Sequence, residues 1–231
     1  MEFTKSLIKG KLVKRYKRFF ADIKINKEVV TAHCPNTGSM MGLLDEGNDA
    51  FISKNNNPKR KLKYTLEIIK VKKTLVGVNT HFANKIAHHA LSNNLIKEVS
   101  NNSVIKPEVF FNEETRFDFF IEKNKQKIFV EVKNVTLFRK AKIAEFPDAI
   151  TARGSKHLRA LIEATKKGYK AYLLFLVQIQ DAECFKIAKD IDKEYYSNYL
   201  LAKKAGVIFL AYRCKISHKE IKVEKKLKFI R

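Results

Sequence analysis

Apolar and polar residues alternate along two neighbouring stretches in the middle of the chain, between Thr115 and Val135. The positions of one apolar face are Phe117, Phe119, Ile121, Ile128, Val130 and Val132. The positions between them are Arg116, Asp118, Phe120, Phe129, Glu131 and Lys133. A period of two with one wholly apolar face is typical of a half-buried β-hairpin. The pattern therefore predicts two adjacent strands that carry charged groups on a shared face.

The polar turn of this hairpin lies around Asn124 and Lys125. Pairing Lys123 with Gln126 then sets Asp118 directly opposite Glu131, where Cβ atoms are about 4.5–5.5 Å apart and like charges destabilise. Lys133, two residues beyond Glu131 on the same face, supplies part of the compensation. A divalent cation would supply the rest.

The first 80 residues predict a small barrel. Short apolar runs separated by turns predict strands at 7–13, 16–25, 28–33, 50–53, 62–71 and 74–78. Five or six strands without a helix in this length are typical of an OB-like barrel. We therefore expect an OB-like nucleic-acid-binding domain at residues 1–80.

Residues 81–231 predict a second domain, because the apolar spacing changes at His81. Helical spacing continues from 81 to 99, and further helices are predicted at 155–167 and 192–205. Strands are predicted at 104–111, 116–122, 127–133, 169–177 and 207–212, followed by a basic tail. This order predicts an α/β domain with a central mixed sheet.

Charge points to a polyanionic partner. The 231 residues carry 47 Lys and Arg against 24 Asp and Glu, a formal charge of +23. Such an excess favours nucleic acid as the partner; a lysine-rich, merely solvated surface is the alternative. The three cysteines show no disulfide or metal-ligand spacing, which favours a reducing compartment. No signal peptide is evident and no stretch approaches the ~20 apolar residues of a membrane span, so we expect a cytoplasmic, soluble protein without membrane contact.

Three basic clusters are candidate nucleic-acid contacts. Seven basic residues and no acid lie between Lys5 and Arg18, and eight basic residues with one acid lie between Lys54 and Lys73. Aromatic residues interleave with the first cluster, where they serve either as base-stacking platforms or as barrel core. A helix start provides the third cluster, since helix N-termini bind phosphate. The predicted DNA-binding residues are Lys17, Arg18, Lys59, Arg60, Lys61, Arg153, Lys156 and His157.

The hairpin is the candidate catalytic site. Asp118 and Glu131 would hold Mg²⁺ or Mn²⁺, with Glu98 on the preceding helix as a third acid. Lys133 would orient the attacking water or neutralise charge developing on phosphorus. The alternative is that Glu131 and Lys133 belong to an exposed charged ladder.

Several segments of the chain, in order, resemble the sugar fermentation stimulation protein A (SfsA) family. They are KRYKRFFADI, AHCPNTGSM, PKRKLKYT, GVNT, RFDFFI, VEVKNVTL, FPDAITARGSKHLR and LLFLVQ. The resemblance implies an N-terminal OB-fold-like barrel followed by a PD-(D/E)xK restriction-endonuclease-like α/β domain. It also implies DNA binding and a link to the regulation of sugar, notably maltose, utilisation. Carried onto this chain, the nuclease motif gives Asp118 as the first acid and Glu131 with Lys133 as its second half.

The chain departs from the family pattern at two positions. The pattern implies a glutamate where this chain has Ala152, and an acid where it has His89. Either change would remove a group that binds metal or positions water. Asp118, Glu131 and Lys133 remain as the minimal set.

Together these observations predict a DNA-binding protein with a nuclease-like site that hydrolyses phosphodiester bonds when Mg²⁺ or Mn²⁺ is bound, without a small-molecule cofactor. The alternatives are a non-catalytic DNA-binding regulator of sugar (maltose) utilisation genes and an RNA-binding protein. The sequence leaves the oligomeric state open, a homodimer included.

Overall fold

The computed structural model describes residues 1–99, 104–123 and 125–230. Asn124, predicted to form the hairpin turn, lies outside the described residues. The first six strands are β1 (Ile8–Tyr16), β2 (Phe20–Ile25), β3 (Glu28–His33), β4 (Asp49–Lys54), β5 (Tyr64–Val71) and β6 (Thr74–Gly77). They match the six strands that the sequence predicts in this region.

These strands close into a barrel. Their order is β3-β2-β1-β4-β5-β6, and β3 also pairs in parallel with β5 through Ala32–Tyr64 and His33–Thr65. This pairing closes a five-stranded barrel and leaves β6 as an added hairpin strand. Its interior contains inward-facing apolar residues such as Ile23, Ile52 and Leu66, all fully buried. The predicted OB barrel is confirmed.

A second six-stranded sheet forms the centre of the remaining chain. Its strands are β7 (Val104–Phe110), β8 (Arg116–Lys123), β9 (Gln126–Val135), β12 (Lys170–Val177), β14 (Ile208–Ile216) and β15 (Ile221–Lys226). The order is β15-β14-β12-β9-β8-β7, in which β9, β12 and β14 are parallel and the other pairs are antiparallel. The predicted α/β domain with a mixed sheet is therefore confirmed, and β15 replaces part of the predicted basic tail.

Helices cover both faces of this sheet. They are α1 (Ala83–Ser92), preceded by a 3₁₀ turn at Thr80–Phe82, α2 (Ala152–Lys166) and α3 (Lys193–Lys204). One hydrophobic cluster joins α1 to Phe119 and Val130, and another joins α2 and α3 to Phe129 and Phe175. The central strands are thus buried on both faces, which explains the almost uninterrupted apolar sequence of β12.

Two helix boundaries differ from the sequence prediction. α1 ends at Ser92 and not near Val99. α2 begins at Ala152, three residues before the predicted start, because the Thr151 hydroxyl accepts the Gly154 N–H at 3.0 Å and caps the helix. Gly154 therefore lies inside the first turn of α2.

The sequence prediction also missed a third, smaller sheet. It consists of β10 (Leu137–Lys140), β11 (Ile143–Phe146), β13 (Cys184–Ile187) and β16 (Lys228–Phe229), in that order. Each strand has two to four residues, too few for an alternating pattern to stand out. Only their pairing across distant segments reveals them.

The barrel packs directly onto the α/β domain. Val76 forms a bridge with Ile179, and the Thr74 hydroxyl donates to Asp181 at 2.8 Å. On another side, the Ser39 hydroxyl donates to the carbonyl of Asp148 at 2.7 Å. These contacts bring the two sheets together around a shared cleft. Among the described residues, no helix is long and apolar enough to cross a membrane.

Candidate functional site

The predicted catalytic hairpin is formed by β8 and β9, and these two strands separate at its open end. The register runs from Lys123–Gln126 to Phe119–Val130, as the sequence predicts. Beyond that pair, the regular backbone pairing of β8 with β9 stops. The Val132 N–H there donates a hydrogen bond to the Asp118 side-chain carboxylate at 2.7 Å. Asp118 is thus held at a fork between β8 and β9.

The change of side-chain direction at this fork explains why the apolar face of the hairpin is not continuous. Phe117 packs against Phe129 on the α2 side, with ring centroids 5.1 Å apart, whereas Phe119 packs on the α1 side near His88. The simple alternation predicted from the sequence therefore stops at Asp118. The fork frees space around a carboxylate that a regular ladder would have occupied.

Asp118 is fixed by a neighbour that the sequence prediction did not identify. Asn84, in the first turn of α1, donates its amide to Asp118 Oδ1 at 2.7 Å. The other carboxylate oxygen accepts the Val132 N–H, so both oxygens have a partner. Burial and the nearby Glu131 charge raise the pKa of Asp118 to about 6, although these hydrogen bonds and Lys133 oppose the shift.

Glu131 lies deeper in the site and is only 3% exposed. Its Oε1 accepts a hydrogen bond from the Lys133 ammonium at 2.6 Å and contacts Nδ1 of His157 on α2. Burial alone would raise the pKa of Glu131, but the positive charge of Lys133 and the His157 contact outweigh it and hold the pKa below its usual value. Glu131 is therefore ionised at neutral pH.

The second oxygen of Glu131, Oε2, is buried and has no hydrogen-bond partner among the described residues. A buried carboxylate oxygen without a partner is costly unless a water or an ion satisfies it. Within the part of the chain that the structure describes, the buried hydroxyl of Tyr195 on α3 also has no hydrogen-bond partner. Burial and the Glu131 charge raise the pKa of Tyr195 well above its usual value. The site thus contains unsatisfied polar atoms around an ionised acid.

The donor set suits a hard divalent cation. Mg²⁺ takes oxygen ligands and is commonly held by one or two carboxylates with waters and substrate phosphates completing its shell. Asp118 and Glu131 supply such a pair. Across the described residues, no group of three or more His, Cys, Asp or Glu side chains is placed to hold a metal. The chain thus offers a two-carboxylate arrangement and no closed metal cage.

Glu98, the third predicted acid, does not join this pair. It follows the end of α1, and its carboxylate accepts the Tyr212 hydroxyl at 2.7 Å and the Lys226 ammonium at 2.5 Å. These partners lie on β14 and β15, on the far side of β12 from the fork. The prediction placed Glu98 on a helix that continued to Val99. Because α1 ends at Ser92, Glu98 lies beyond the helix that carries Asn84 to Asp118.

The predicted basic residues of the barrel lie at one end of it. His33 pairs with both Phe20, after the Lys17–Phe19 turn, and Thr65, which accepts a hydrogen bond from Arg60 at 3.2 Å. Lys17, Arg18, Lys59 and Lys61 are exposed there, and Arg60 is half-buried. The tertiary structure thus brings two basic segments together that are some 40 positions apart in sequence.

The aromatic residues near the first of these segments separate into two groups. Tyr16 and Phe20 stack on each other with ring centroids 5.4 Å apart, and both are half-buried. Phe19 is 45% exposed. Of the three, Phe19 therefore offers the most surface to a partner.

The third predicted cluster, on α2, has a different arrangement from that expected. Arg153 is exposed, and Lys156 forms an exposed ion pair with Glu114 at 2.9 Å. His157 is 7% exposed and faces Glu131, so it belongs to the carboxylate site and not to the surface. Arg153 Nε donates to His157 Nε2 at 3.4 Å, which leaves the Nδ1 proton for Glu131.

The two positions that depart from the family pattern lie outside this network. His89 on α1 and Ala152 at the start of α2 are both exposed. Asn84 and His157 are instead the helix residues that contact Asp118 and Glu131. The sequence carries no local signal for Asn84, because a lone asparagine in a helix has many roles.

A cleft of about 540 Å³ lies between the barrel and the α/β domain. Its walls include Arg18 of the barrel, Thr80 before α1, Asn134 of β9 and Ile150 and Thr151 before α2. Asn134 directly follows Lys133 along β9, whereas Asp118, Glu131 and Lys133 are not among the residues that line the cleft. Most of the segments that carry the family resemblance contribute to these walls.

The chain matches two family models. "SfsA N-terminal OB domain" matches residues 13–78, and "Sugar fermentation stimulation protein RE domain" matches residues 81–220. A sugar fermentation stimulation protein homolog from Pelagibacter ubique is 79% identical over 230 residues, covering 100% of this chain and 99% of that protein. A homolog from Maricaulis maris is 43% identical, covering 97% and 99%.

One solved structure shares the whole fold. The SfsA protein of Pyrococcus furiosus, described as a complex with Ca²⁺, superposes with a TM-score of 0.89 at 24% sequence identity. The match covers 100% of this chain and 98% of that one. With both domains matched and full-length relatives this similar, the chain belongs to the sugar fermentation stimulation protein (SfsA) family.

Proposed function

We propose that this protein binds DNA and hydrolyses its phosphodiester bonds with the help of a divalent cation at Asp118 and Glu131. The observation that carries the proposal is the buried, unpartnered Oε2 of Glu131 beside a second carboxylate whose pKa is raised to about 6. Buried carboxylates in structural clusters normally have hydrogen-bond partners on both oxygens. An acid pair in which one buried oxygen lacks such a partner is instead suited to bind a cation.

Each neighbouring side chain has a defined task in this proposal. Asn84 and the Val132 N–H orient Asp118, and His157 orients Glu131. Lys133 places a positive charge at the same carboxylate, where it can stabilise negative charge that develops on a phosphate. A bound Mg²⁺ or Mn²⁺ would supply Lewis acidity and lower the pKa of a bound water.

The Pyrococcus furiosus relative supports a divalent cation, since it is described as a complex with Ca²⁺. Ca²⁺ and Mg²⁺ both select oxygen ligands, although Mg²⁺ demands a smaller and more regular shell. The same donor atoms would therefore accept either ion, with Mg²⁺ or Mn²⁺ as the proposed catalytic form.

The basic end of the barrel supports DNA as the substrate. Lys17, Arg18, Lys59 and Lys61 are exposed at one end of the barrel, where Arg18 also lines the cleft. The chain carries a formal charge of +23. Positive side chains at phosphate positions release counterions when nucleic acid binds, which supplies sequence-independent affinity. Arg153 extends the same charge onto α2.

A cleavage assay tests the catalytic part of the proposal. Wild-type protein with Mg²⁺ or Mn²⁺ is expected to nick supercoiled DNA, and Asp118→Asn and Lys133→Ala are each expected to lower the rate about 100-fold or more. DNA binding by both variants, measured by fluorescence anisotropy, should persist. Glu163→Gln is the control, because Glu163 forms an exposed ion pair with Lys167 on the surface of α2.

Intact DNA with the wild type, across metals and DNA forms, would refute the hydrolysis. If the wild type still binds DNA in those conditions, the protein is a non-catalytic DNA-binding protein, in keeping with a regulatory role. Equal loss of cleavage in Glu163→Gln would show that the effect is not specific to the acid pair.

Salt dependence tests the binding surface. Each phosphate contact contributes about 0.9 to the slope of log affinity against log salt on duplex DNA, so replacing Lys59 and Lys61 by Ala should lower the slope by about two. The Lys203→Ala, Lys204→Ala double variant removes the same charge from the exposed end of α3 and should change the slope little. Equal slopes for the two double variants would exclude this loop from the interface.

A further inference from the structure

The cleft between the barrel and the α/β domain carries features that the carboxylate pair does not use. Its volume of about 540 Å³ falls within the range of about 300–1,000 Å³ that encloses a small organic molecule. Such a space fits one or two nucleotides and excludes a double helix. Arg18 and Ser39 of the barrel and Ile150 and Thr151 before α2 line it, so a nucleotide in the cleft would contact both domains.

Ile150 is the least expected residue on the wall of the cleft. Its side chain is 82% exposed, although it lies in a short segment held on both sides. The Asp148 carbonyl before it accepts the Ser39 hydroxyl, and the Thr151 N–H after it donates to Asp192 at 2.8 Å. An isoleucine held in solvent on a fixed backbone offers an apolar surface against which a base can pack.

Arg18 supplies a charge on the opposite wall. The neighbouring Arg15 also lines the cleft, but its guanidinium donates to the carbonyls of Arg18, Asn36 and Ser39 and is fully engaged. The Arg18 guanidinium forms no ion pair or hydrogen bond among the described residues, and the side chain is exposed. It is therefore free to contact a phosphate.

Asp148 gives the cleft an acceptor. Its half-buried carboxylate has no hydrogen-bond donor or cation partner in the described part of the chain. It packs so closely on the backbone of Gly38 that a Cβ there would lie 2.0 Å from Oδ2. A carboxylate in this position can accept a hydrogen bond from a base amino group, as Asp does from N4 of cytosine.

From these three features we infer that the cleft receives a single unpaired nucleotide, with Arg18 at its phosphate, Ile150 against its base and Asp148 at its amino group. This inference rests on the proposed DNA-binding function and narrows its substrate to DNA that contains single-stranded or extruded nucleotides. Extruding a base from a duplex breaks its pairing and stacking, so a site of this kind favours DNA in which the base is already unpaired.

Fluorescence anisotropy on the full chain tests this with two probes: a fully paired duplex and the same duplex carrying one unpaired cytosine. Wild-type protein should bind the second probe about ten-fold more tightly, because an unpaired base can enter the cleft without first being extruded from the duplex. Ile150→Ala and Arg18→Ala should each remove most of this preference. Their affinity for the paired duplex should change less than the affinity for the unpaired probe.

Two matched controls lie on α3, outside the cleft. Leu201→Ala removes an isoleucine-sized side chain that is 58% exposed, and Lys204→Ala removes one exposed charge. Both should keep the wild-type preference. A third probe with an unpaired thymine should bind more weakly than the cytosine probe, and Asp148→Ala should bind the two alike.

The outcomes separate this inference from the function on which it rests. Tight binding to the paired duplex with no preference for the unpaired probe overturns the nucleotide site and leaves DNA binding standing. Loss of preference in the α3 controls as much as in Ile150→Ala also overturns it. Failure of the wild type to bind either probe at low salt removes both proposals.

Discussion

Two clusters of buried acids in this protein differ in how completely their charges are satisfied. Glu145 on β11 is 1% exposed, and Arg139 on β10 donates to both of its oxygens, at 2.8 and 2.7 Å. Lys186 adds a third contact at 3.3 Å. Glu131 is almost as buried, but its contacts with Lys133 and His157 both fall on one oxygen, and the other oxygen has no hydrogen-bond partner in the described part of the chain.

The pKa values express the same contrast. In the Glu145 cluster, Arg139 and Lys186 overcome burial and lower the pKa of Glu145, and Arg139 lowers the pKa of Asp190 to about 2. At the fork, burial and the Glu131 charge raise the pKa of Asp118 instead. The first cluster is internally complete and joins the strands of the small sheet. In the second, Asp118 and Glu131 together carry more negative charge than Lys133 balances, and either a proton on Asp118 or an added cation can offset the excess.

Removing Arg139 should have the largest effect on stability. Arg139→Ala leaves Glu145 buried with Lys186 as its remaining partner, and breaking a buried pair in this way costs about 3 kcal/mol. Urea unfolding at pH 7 measures the change. Arg159→Ala, which breaks an exposed pair with Glu194, should cost less than about 0.5 kcal/mol.

The Arg139 effect should also depend on pH in a defined direction. A carboxyl whose folded pKa is lowered stabilises the fold above its unfolded pKa of about 4.3, and this stabilisation is lost as pH falls through the folded pKa. The difference between wild type and Arg139→Ala should therefore shrink below about pH 4. A difference that grows on acidification would contradict the assignment of this cluster as a structural ion pair.

Asp118→Asn should act in the opposite sense and stabilise the protein. With a folded pKa of about 6 against about 3.9 unfolded, ionised Asp118 lowers the free energy of unfolding by about 1–3 kcal/mol above pH 6. Asparagine keeps an acceptor for the Val132 N–H, and the Asn84 amide can turn to accept from it. Urea unfolding should show the gain at pH 8, and its decline as pH falls from 6 to 4.

Loss of stability in Asp118→Asn at pH 8 would mean that the charge is already balanced within the chain. Asp190→Asn is the matched control, because Arg139 lowers the pKa of Asp190 and its ionised form therefore stabilises the fold. That variant should not stabilise the protein at any pH.

Divalent cations should give a smaller, concentration-dependent stabilisation. At a free Mn²⁺ concentration ten times its Kd, binding to the folded state adds about 1.4 kcal/mol. The gain should be lost in Asp118→Asn and should weaken below pH 6, where Asp118 takes up a proton. Thermal unfolding with and without Mn²⁺ measures it.

Glu98→Gln tests the third acid that the sequence suggested as a ligand. Because Tyr212 and Lys226 already engage Glu98, this variant should keep the Mn²⁺ effect of the wild type. Loss of the effect in Glu98→Gln alone would instead place Glu98 among the metal ligands.

Much of the architecture could be predicted because it depends on local pattern. The six barrel strands, the register of β8 with β9 and the helices α2 and α3 follow from apolar spacing within single segments. The strands of the small sheet could not be predicted in this way. They are short, and β11, β13 and β16 pair across separations of about 40 residues.

Some residues of the candidate site could likewise be predicted from local pattern, and others could not. Asp118, Glu131 and Lys133 follow from the hairpin pattern and the family resemblance, because all three lie on adjacent strands. Asn84 and His157 reach the acids from two different helices, and their roles depend on how those helices pack. His157 illustrates the limit: its place after a predicted helix start indicated the surface, but the capping Thr151 starts the helix three residues earlier.

The sequence by itself determined which elements form, which residues carry charge and where two acids approach on neighbouring strands. These properties depend on the period of apolar side chains and on strand register, and both follow from the pattern of neighbouring residues in one segment. Only the tertiary structure decided that β8 and β9 part at Asp118, that one oxygen of Glu131 has no partner among the described residues and that a cleft opens between the two domains. Those features arise from the packing of α1, α2 and the barrel against one sheet, and no single segment of the chain contains them.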